Sequence, residues 1–423
     1  MKIFLYILYY NEEFCKTFFK KDVNFMKICG IVCEYNPFHN GHMYHIEETR
    51  KLGMDGIVCI MSGNFVQRGD FAIMQKHARA EAAVRGGADV VIELPIPWAI
   101  ASAERFASGA VSLMDSLGVV SHISFGAETQ NLVNIVQTAK ILTDDAFSEL
   151  ILKEYASGIS FARARELALE KISPELSDVL KTPNNILAVE YVKALLRRKS
   201  DITPIAVERT GAMHDGSSFT DNIASASYIR ELSESGKPFS DYIPESASEI
   251  FRRECENGNA PMFIKSADSA ILASLKRLSA DDFLSCSDVS EGLEHRLFDA
   301  VSSSVTLQQT CELAKTKRYA YARIRRILLN AFLGIKAEHL SSDVPYARIL
   351  AFNDTGRAII KKAKQCSQIP IITKPSAIKN ESKTVNDLFA LEKRADDIYS
   401  LFMKNPTAQG STFTSSPLYI KEP

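Results

Sequence analysis

Four short apolar segments, spaced roughly thirty residues apart, constrain the fold of this chain more than any other feature. Each is rich in β-branched residues, and they are Ile28–Cys33, Gly56–Met61, Asp89–Pro95 and Val119–Gly126. Helical patterns lie between them: Gln75–Arg85 is rich in alanine, and Ala103–Leu117 carries apolar residues at Phe106, Ala110, Val111, Met114 and Leu117. Strands that alternate with helices at this spacing form βαβ units, which wind right-handedly into a doubly wound parallel sheet. The chain is therefore predicted to be an α/β protein with a Rossmann-like domain.

The turn after the first segment contains an H-x-G-H pattern. Its residues are Tyr35-Asn36-Pro37-Phe38-His39-Asn40-Gly41-His42. Asn36-Pro37 predicts a turn, and Gly41 allows close approach of a ligand at the start of a helix that continues through His45. Imidazoles beside the unpaired N–H groups of a helix N-terminus can donate hydrogen bonds to a phosphate and to charge that develops on it. The pattern alone fits a pair of surface or core histidines equally well.

The position of this turn in the predicted sheet favours the phosphate interpretation. Doubly wound sheets bind ligands at the carboxyl ends of their strands. His39 and His42 are expected there, together with Ser62-Gly63-Asn64 and Gly126.

An ordered series of motifs follows the H-N-G-H turn along the chain. They are Met61–Asp70, Gly87–Pro95, Phe125–Glu128, Thr182–Ala188, Glu208–Gly211 and His214-Asp215. With the basic helix near residue 320, this series resembles the tRNA(Met) cytidine acetate ligase family of H-x-G-H nucleotidyltransferases. The resemblance implies that ATP, with Mg²⁺ as its companion, activates acetate to acetyl-AMP. The acetyl group would then pass to N4 of the wobble cytidine of elongator tRNA(Met), with neither DNA nor a membrane as a partner.

The resemblance also implies a set of site residues. His39 and His42 are the predicted catalytic pair. The predicted ATP-binding residues are Val32, Cys33, Glu34, Tyr35, Asn36, Pro37, Phe38, His39, Asn40, Gly41, His42, His45, Gly126, Asn184, Asn185, Arg209, Ser225 and Arg230. Arg209 offers a bidentate fork for phosphate oxygens, and Arg230 with Ser225 would hold the leaving pyrophosphate. The segment Ile223–Arg230 resembles a Ser-x-Thr-x-x-Arg signature, with Ser227 keeping a hydroxyl where the family has threonine.

A basic stripe lies between Lys315 and Lys336, a stretch without acidic residues. Apolar residues at Ile324, Ile327, Leu328 and Ala331 mark the buried face of a helix there. Arg318, Arg323, Arg325 and Arg326 are the predicted tRNA-binding residues, because a tRNA backbone needs cations to neutralise its phosphates. The alternative is an ordinary solvated helix face.

The length of 423 residues suits two or three domains. Residues 26–240 are predicted to form the nucleotidyltransferase domain, with 143–199 mostly helical, and residues 245–400 a helical tRNA-binding domain. Residues 401–423 form a polar, turn-rich tail expected to be poorly ordered. Residues 1–25 precede the position where the family would begin, so they are interpreted as an extension, either a loose tail or an upstream start-site artefact.

Composition indicates a reduced, intracellular protein. The net charge is −1 and the eight cysteines include no C-x-x-C pair, so Cys29, Cys33 and Cys59 are expected to be reduced core residues. No Cys, Asp or Glu accompanies the three neighbouring histidines at ligand spacing, so no metal site is predicted. No stretch is apolar enough to cross a bilayer, and a cytoplasmic location is expected.

Two other functions fit parts of the sequence. One is an adenylyltransferase that makes a cofactor from a small phosphorylated metabolite, which the long basic helical half disfavours. The other is a catalytically idle RNA-binding protein, which the intact His39, Gly41, His42 and Arg230 disfavour.

Overall fold

A computed structural model of the chain describes residues 26–128, 131–209, 222–290 and 292–421. Its strands are β1 Ile28–Cys33, β2 Gly56–Ser62, β3 Phe65–Val66, β4 Asp70–Phe71, β5 Val90–Leu94, β6 His122–Ala127, β7 Thr203–Glu208, β8 Ala347–Phe352, β9 Ile371–Ile372 and β10 Leu418–Tyr419. Its helices are α1 Asn40–Lys51, α2 Lys76–Arg85, α3 Ile96–Ala99, α4 Ala103–Leu117, α5 Leu132–Leu142, α6 Asp145–Tyr155, α7 Phe161–Glu170, α8 Pro174–Asp178, α9 Pro183–Arg198, α10 Ala226–Glu234, α11 Glu245–Glu256, α12 Asp268–Leu275, α13 Ala280–Leu284, α14 Leu293–Ser303, α15 Leu307–Ala314, α16 Tyr321–Leu333, α17 Asp354–Cys366, α18 Lys383–Ser400 and α19 Ser411–Thr414.

The main sheet has the order β10-β8-β5-β2-β1-β6-β7, with β9 beside β8. Within it, β5, β2, β1, β6 and β7 are parallel neighbours, with Ile28 opposite Gly56 and Cys29 opposite His122. The predicted doubly wound α/β fold is thus confirmed. The chain order reverses between β1 and β6, so the crevice at their carboxyl ends is the topological switch point where such sheets bind ligands.

The central parallel strands β1, β2 and β5 are buried on both faces, which explains their continuous apolar sequences. Every residue of β2 and β5 is buried. Helix α4 packs against β1 so closely that a Cβ on Gly30 would lie 2.4 Å from the Met114 sulfur. Its predicted apolar residues are all buried, and the helix ends where Gly118 takes a φ of 68°. Each large apolar side chain buried here contributes about 1.5–3 kcal/mol.

Strand β8 lies in a stretch that was predicted to be helical. It pairs antiparallel with β5, with Val90 opposite Phe352, and β10 pairs parallel with β8. The strand is hard to recognise because it contains Arg348, a residue rarely buried. Its guanidinium lies 3.2 Å from Glu93 of β5, and this partner makes its burial possible.

The expectation of a poorly ordered tail after residue 400 was wrong. The structure has α19 and β10 there, and Thr412 is completely buried. The polar residues of this segment are ordered because they face a buried charge cluster formed by Lys76, Glu93, Arg348, Glu392 and Asp396. Thr412 donates a hydrogen bond to Asp396 and accepts one from Arg348, and a Cβ on Gly410 would lie 2.4 Å from the Asp396 carbonyl carbon.

Several sequence predictions concern residues that the structure does not describe. The 1–25 extension and the motif residues Thr210, Gly211, His214 and Asp215 are among them. The seven cysteines within the described residues are free thiols, and Cys29, Cys33 and Cys59 are buried, as predicted. Among the helices of the described ranges, none is long and apolar enough to cross a membrane.

Candidate functional site

The two histidines of the H-x-G-H turn cap the N-terminus of α1 reciprocally. Nδ1 of His39 accepts a hydrogen bond from the Gly41 amide at 3.1 Å, and the His39 amide donates to Nδ1 of His42 at 3.2 Å. The rings stack with centroids 3.5 Å apart. Because Nδ1 is an acceptor in both rings, a neutral imidazole at either position carries its proton on Nε2. We call this arrangement the histidine cap; each of its rings has an Nε2–H donor that the cap does not use.

The environment keeps the histidine cap uncharged near neutral pH. Burial, with the charge of Arg209 as a lesser cause, lowers the pKa of His39 to about 3. Burial, with His39, Arg209 and His45 as lesser causes, holds the pKa of His42 well below its usual value. Near neutral pH both imidazoles are therefore uncharged, and each can donate a hydrogen bond through its Nε2–H.

His45 lies one turn further along α1 and anchors the helix to β6. Its Nε2 lies 2.8 Å from the Ser124 hydroxyl, which is also 2.8 Å from the hydroxyl of Thr49. Burial, and then the charge of Arg209, lowers the pKa of His45 to about 4. His45 thus orients α1 across the switch point, whereas His39 and His42 occupy its first turn.

The segment Val32–Phe38, from the end of β1 to the start of α1, packs against the histidine cap. Tyr35 has a φ of 46°, an unfavourable conformation for a bulky residue that its buried ring stabilises, with the hydroxyl 3.4 Å from the Cys59 sulfur. Asn36 accepts a hydrogen bond from the Ile73 amide at 2.7 Å, the Asn36-Pro37 peptide is cis, and Phe38 is fully buried. Of the predicted ATP-binding residues, Cys33, Tyr35, Asn36, Pro37 and Phe38 are therefore buried supports of the site.

Arg209 crosses the carboxyl end of β6. A Cβ on Gly126 would lie 3.2 Å from Cγ of Arg209, so the glycine leaves space for this side chain. Arg209 is exposed, yet close enough to lower the pKa values of all three histidines. The structure therefore brings Gly126 and Arg209 together with the histidine cap, as the sequence predicts.

Asn184 and Asn185 bind a protein carboxylate in this structure. Asn184 donates to the Glu128 side chain, whose Oε2 accepts from the Asn185 amide at 3.1 Å, and Oδ1 of Asn185 accepts from the Glu128 amide at 3.0 Å. Glu128 thereby caps the N-terminus of α9. A direct contact of either asparagine with the nucleotide stays a prediction.

The segment that leads into α10 contacts the first turn of α1. The Asn40 side chain donates to the carbonyl oxygens of Asn222 and Asp241 at 2.9 and 3.0 Å, so it serves this connection. Ser225 caps α10 by accepting from the Tyr228 amide, and Arg230 donates to Asp70 at 2.6 Å. Ser225 therefore serves the helix N-terminus, whereas Arg230 contacts the β3–β4 hairpin through Asp70.

The helix of the basic stripe, α16, begins at Tyr321, so Lys315, Lys317 and Arg318 precede it. Arg318 stacks on the Tyr155 ring, and Arg323 donates to the Asp288 carbonyl oxygen at 2.9 Å. Arg325 pairs with Asp70 at 2.9 Å, whereas Arg326 has a buried Nε with no partner among the described residues. Ile324, Ile327 and Leu328 are buried, as predicted, and Ala331 is partly exposed.

Two residues that sequence reasoning did not select hold the site together. Arg79 is completely buried and donates to the Glu34, Met74, Ser62 and Gly63 carbonyl oxygens, which joins the carboxyl ends of β1 and β2. Asp70 pairs with both Arg230 and Arg325. Asp70 belongs to a recognised motif, but nothing in the sequence shows which cations lie opposite it.

A helix capped by the two histidines of an H-x-G-H turn, at the switch point of a doubly wound sheet, is the arrangement that the sequence predicts for a nucleotidyltransferase. In agreement, the family model HIGH Nucleotidyl Transferase matches residues 26–413. A tRNA(Met) cytidine acetate ligase of Thermoanaerobacter sp. (strain X514) is 40% identical over 92% of this chain and 98% of its own length. One from Clostridium novyi (strain NT) is 39% identical over 94% and 100%. The chain belongs to the tRNA(Met) cytidine acetate ligase family.

Solved structures agree with this assignment. A crystal structure of Thermotoga maritima TmcAL in its apo form I superimposes with a TM-score of 0.89 at 32% identity, covering 94% of this chain and all of that one. A second crystal structure of the same protein, bound with alpha-thio ATP, gives a TM-score of 0.88.

Proposed function

We propose that this protein is an ATP-dependent ligase that activates acetate as acetyl-AMP. It then transfers the acetyl group to the exocyclic amine of the wobble cytidine of elongator tRNA(Met), forming N4-acetylcytidine. Family membership supports the substrates, and the histidine cap is the observation that carries the chemistry. ATP is the nucleotide substrate, as the ATP-analogue complex of the T. maritima relative suggests.

In the first step, a carboxylate oxygen of acetate attacks the α-phosphorus of ATP. A new O–P bond forms, the bond from the α-phosphorus to the bridging oxygen breaks, and pyrophosphate leaves with the electron pair. Acetate is already anionic near neutral pH, so no general base is needed. The protein must hold two anions together and stabilise charge on the transferring group. Nε2–H of His39 and of His42 are the proposed donors.

Neutral donors suit this step. Donors that are already oriented stabilise charge where it increases on the transferring group, without having to reorganise during the reaction. The reciprocal cap fixes both tautomers, so no proton has to move before the reaction. We assign to Arg209 the role of contacting the phosphates beside Gly126, where its guanidinium can make paired hydrogen bonds.

Magnesium would accompany the nucleotide as part of the substrate, as it usually does ATP. Within the described ranges, no three His, Cys, Asp or Glu side chains are grouped so that they could hold a metal ion. The predicted contacts to ATP therefore involve amides, imidazoles and guanidinium groups.

In the second step, the cytidine amine attacks the acetyl carbonyl carbon of acetyl-AMP. The C–N bond forms, AMP leaves from the carbonyl carbon, and the amine loses a proton. This amine is a weak nucleophile, so the mixed anhydride supplies the driving force while the protein must exclude water. The wobble base has to leave its stack to reach the site, as single-stranded bases usually do in RNA recognition.

We assign tRNA capture to the basic stripe, with Arg318 and Arg323 as its foremost residues. Arg323 donates to a neutral carbonyl oxygen rather than to a carboxylate, so its positive charge is not neutralised by that contact. Both side chains are partly exposed. Arg318 stacks on Tyr155 and Arg323 stacks on Tyr319, which holds each guanidinium in place.

Isotope exchange tests the first half-reaction. Labelled pyrophosphate should enter ATP only when acetate is present and without any tRNA, because formation of acetyl-AMP is reversible. Exchange that required a phosphorylated metabolite instead would favour a cofactor adenylyltransferase. The second half-reaction is tested by mass spectrometry of tRNA(Met) nucleosides from a deletion strain, in which N4-acetylcytidine should be lost and should return with the wild-type gene.

A further inference from the structure

The carboxylate of Asp70 lies between two arginines from opposite halves of the chain. Its Oδ2 is 2.6 Å from Arg230 of α10 and 2.9 Å from Arg325 of α16. Because both guanidinium groups pair with the same oxygen, they are held side by side. Each arginine side chain keeps about a fifth of its surface exposed (21%), so both remain accessible from solvent.

The β3–β4 hairpin, which carries Asp70, is fixed to both halves. Gly69 has a φ of 72°, and a Cβ there would lie 3.0 Å from the Arg325 carbonyl carbon and from the Arg326 amide nitrogen. The hairpin therefore packs directly on the backbone of α16. On its other side, the Gln67 amide donates to Glu34 at 2.7 Å, in the loop that leads to the histidine cap. Arg325 is thus positioned relative to the nucleotide site by a short chain of rigid contacts.

The junction has more arginines than carboxylates. Arg230 and Arg325 share one Asp70 oxygen, and exposed Arg68 lies on the same hairpin. Glu34 is the second carboxylate: burial raises its pKa, against the opposing charges of Arg68, Arg79 and Arg230. Nε of Arg230 is buried and has no hydrogen-bond partner in the described part of the chain. An unfilled buried donor beside surplus cations calls for an anion with several oxygens.

We propose that Arg325 and Arg230 together bind the terminal phosphates of ATP and the pyrophosphate that leaves, with Asp70 as the residue that positions both. This inference rests on the proposed function, and it moves Arg325 from the tRNA surface to the adenylation site. Negative charge grows on the pyrophosphate as its bond to the α-phosphorus breaks, and two guanidinium forks stabilise that charge. The helical half of the chain then supplies a cation for the first half-reaction as well as a surface for RNA.

The test uses Arg325→Gln in the full-length protein without tRNA. Acetate-dependent exchange should fall about 10- to 100-fold, with a raised KM for pyrophosphate. Arg163→Gln is the matched control, because it removes an exposed arginine that pairs with Glu166 on α7, and its exchange should equal that of the wild type. Unchanged exchange in Arg325→Gln together with weaker tRNA binding would overturn the proposal and return Arg325 to the tRNA surface.

A binding readout separates this role from folding and from the proposed reaction. Pyrophosphate should raise the Tm of the wild type, since a ligand that binds only the folded state stabilises it. That shift should shrink in Arg325→Gln and in Asp70→Asn, and be partly restored in Asp70→Glu. Arg325→Lys, which keeps the charge but not the fork, should recover only part of it. An undiminished shift in these variants would overturn the proposal. Failure of acetate alone to support exchange in the wild type would instead refute the proposed function.

Discussion

The His39 amide donates a hydrogen bond to Nδ1 of His42, 3.2 Å away, while Nδ1 of His39 accepts from the Gly41 amide. Each histidine therefore both caps the helix and presents an Nε2–H donor. The capping role and the proposed catalytic role belong to the same rings, so a test needs a substitution that removes one and keeps the other.

His39→Asn provides that separation. Asparagine is a favourable N-cap residue, so it can keep the bond to the Gly41 amide while removing the Nε2–H donor. We expect the acetate-dependent exchange rate to fall by the equivalent of about 2–4 kcal/mol, with a smaller effect on the KM for ATP. His39→Ala should show the same kinetic loss and additionally a lower Tm. Equal losses in rate and ATP affinity for His39→Asn would mean that His39 is an ordinary binding residue.

The lowered histidine pKa values predict how stability depends on pH. Below pH 6.5 the unfolded chain takes up protons that His39 and His45 of the folded protein accept only near pH 3 and 4. Their contribution to stability is therefore complete above about pH 6.5 and decreases as pH falls towards 4, by up to about 1.4 kcal/mol per pH unit for each histidine. Urea unfolding at pH 7, 6 and 5 should show a weaker pH dependence in His45→Asn than in the wild type. His295→Asn, at an exposed position of α14, is the control, and an identical slope in the His45 variant would contradict the prediction.

A substitution of Arg323 tests whether the basic stripe binds tRNA. If it neutralises a tRNA phosphate, Arg323→Gln should lower tRNA affinity and reduce the slope of log K against log salt by about 0.7–0.9. Filter binding over a salt series measures both quantities. Arg163→Gln again serves as the control, because it changes the net charge equally. Equal slopes in the two variants would indicate that the stripe is a solvated helix face.

The buried charge cluster predicts a large stability effect far from the histidines. Asp396 lies 2.6 Å from Lys76 and accepts from Asn64 at 2.8 Å. Asp396→Ala would leave buried polar partners unmatched, so the free energy of unfolding should fall by about 3–5 kcal/mol. Asp178→Ala, which removes an exposed pair with Lys181, should cost less than about 1 kcal/mol. Comparable losses in a urea titration would show that the cluster adds little to stability.

The parallel core and the turn that carries the histidines could be predicted from sequence, because local signals determine them. Runs of β-branched residues mark β1, β2 and β5, and the histidine cap uses residues only three positions apart. Strand β6 begins at His122 rather than at Val119, a boundary that hydrogen bonding sets and apolar sequence does not. Strand β7 contains Pro204, a residue that argues against a strand, so its sequence does not predict one.

What the sequence could not provide are pairings between distant residues. Arg325 and Asp70 meet because the hairpin packs on α16, and Asn185 meets Glu128 because α9 starts at the end of β6. Basic residues along a helix predict a charged face, but they do not show which of its arginines pairs with a carboxylate elsewhere in the chain. Arg348 likewise makes β8 hard to predict, because its burial depends on the pair with Glu93, which the sequence does not show.

The antiparallel seam between β5 and β8 limits how this protein can be divided. Cutting the chain near residue 240 would remove β8 and expose the edge of β5, where Val90–Leu94 is apolar and buried along its whole length. Unpaired apolar edges of this kind promote association between chains. A fragment that ends there is therefore expected to associate rather than to fold as an independent adenylating enzyme, and the half proposed to bind RNA is not expected to be exchangeable between proteins.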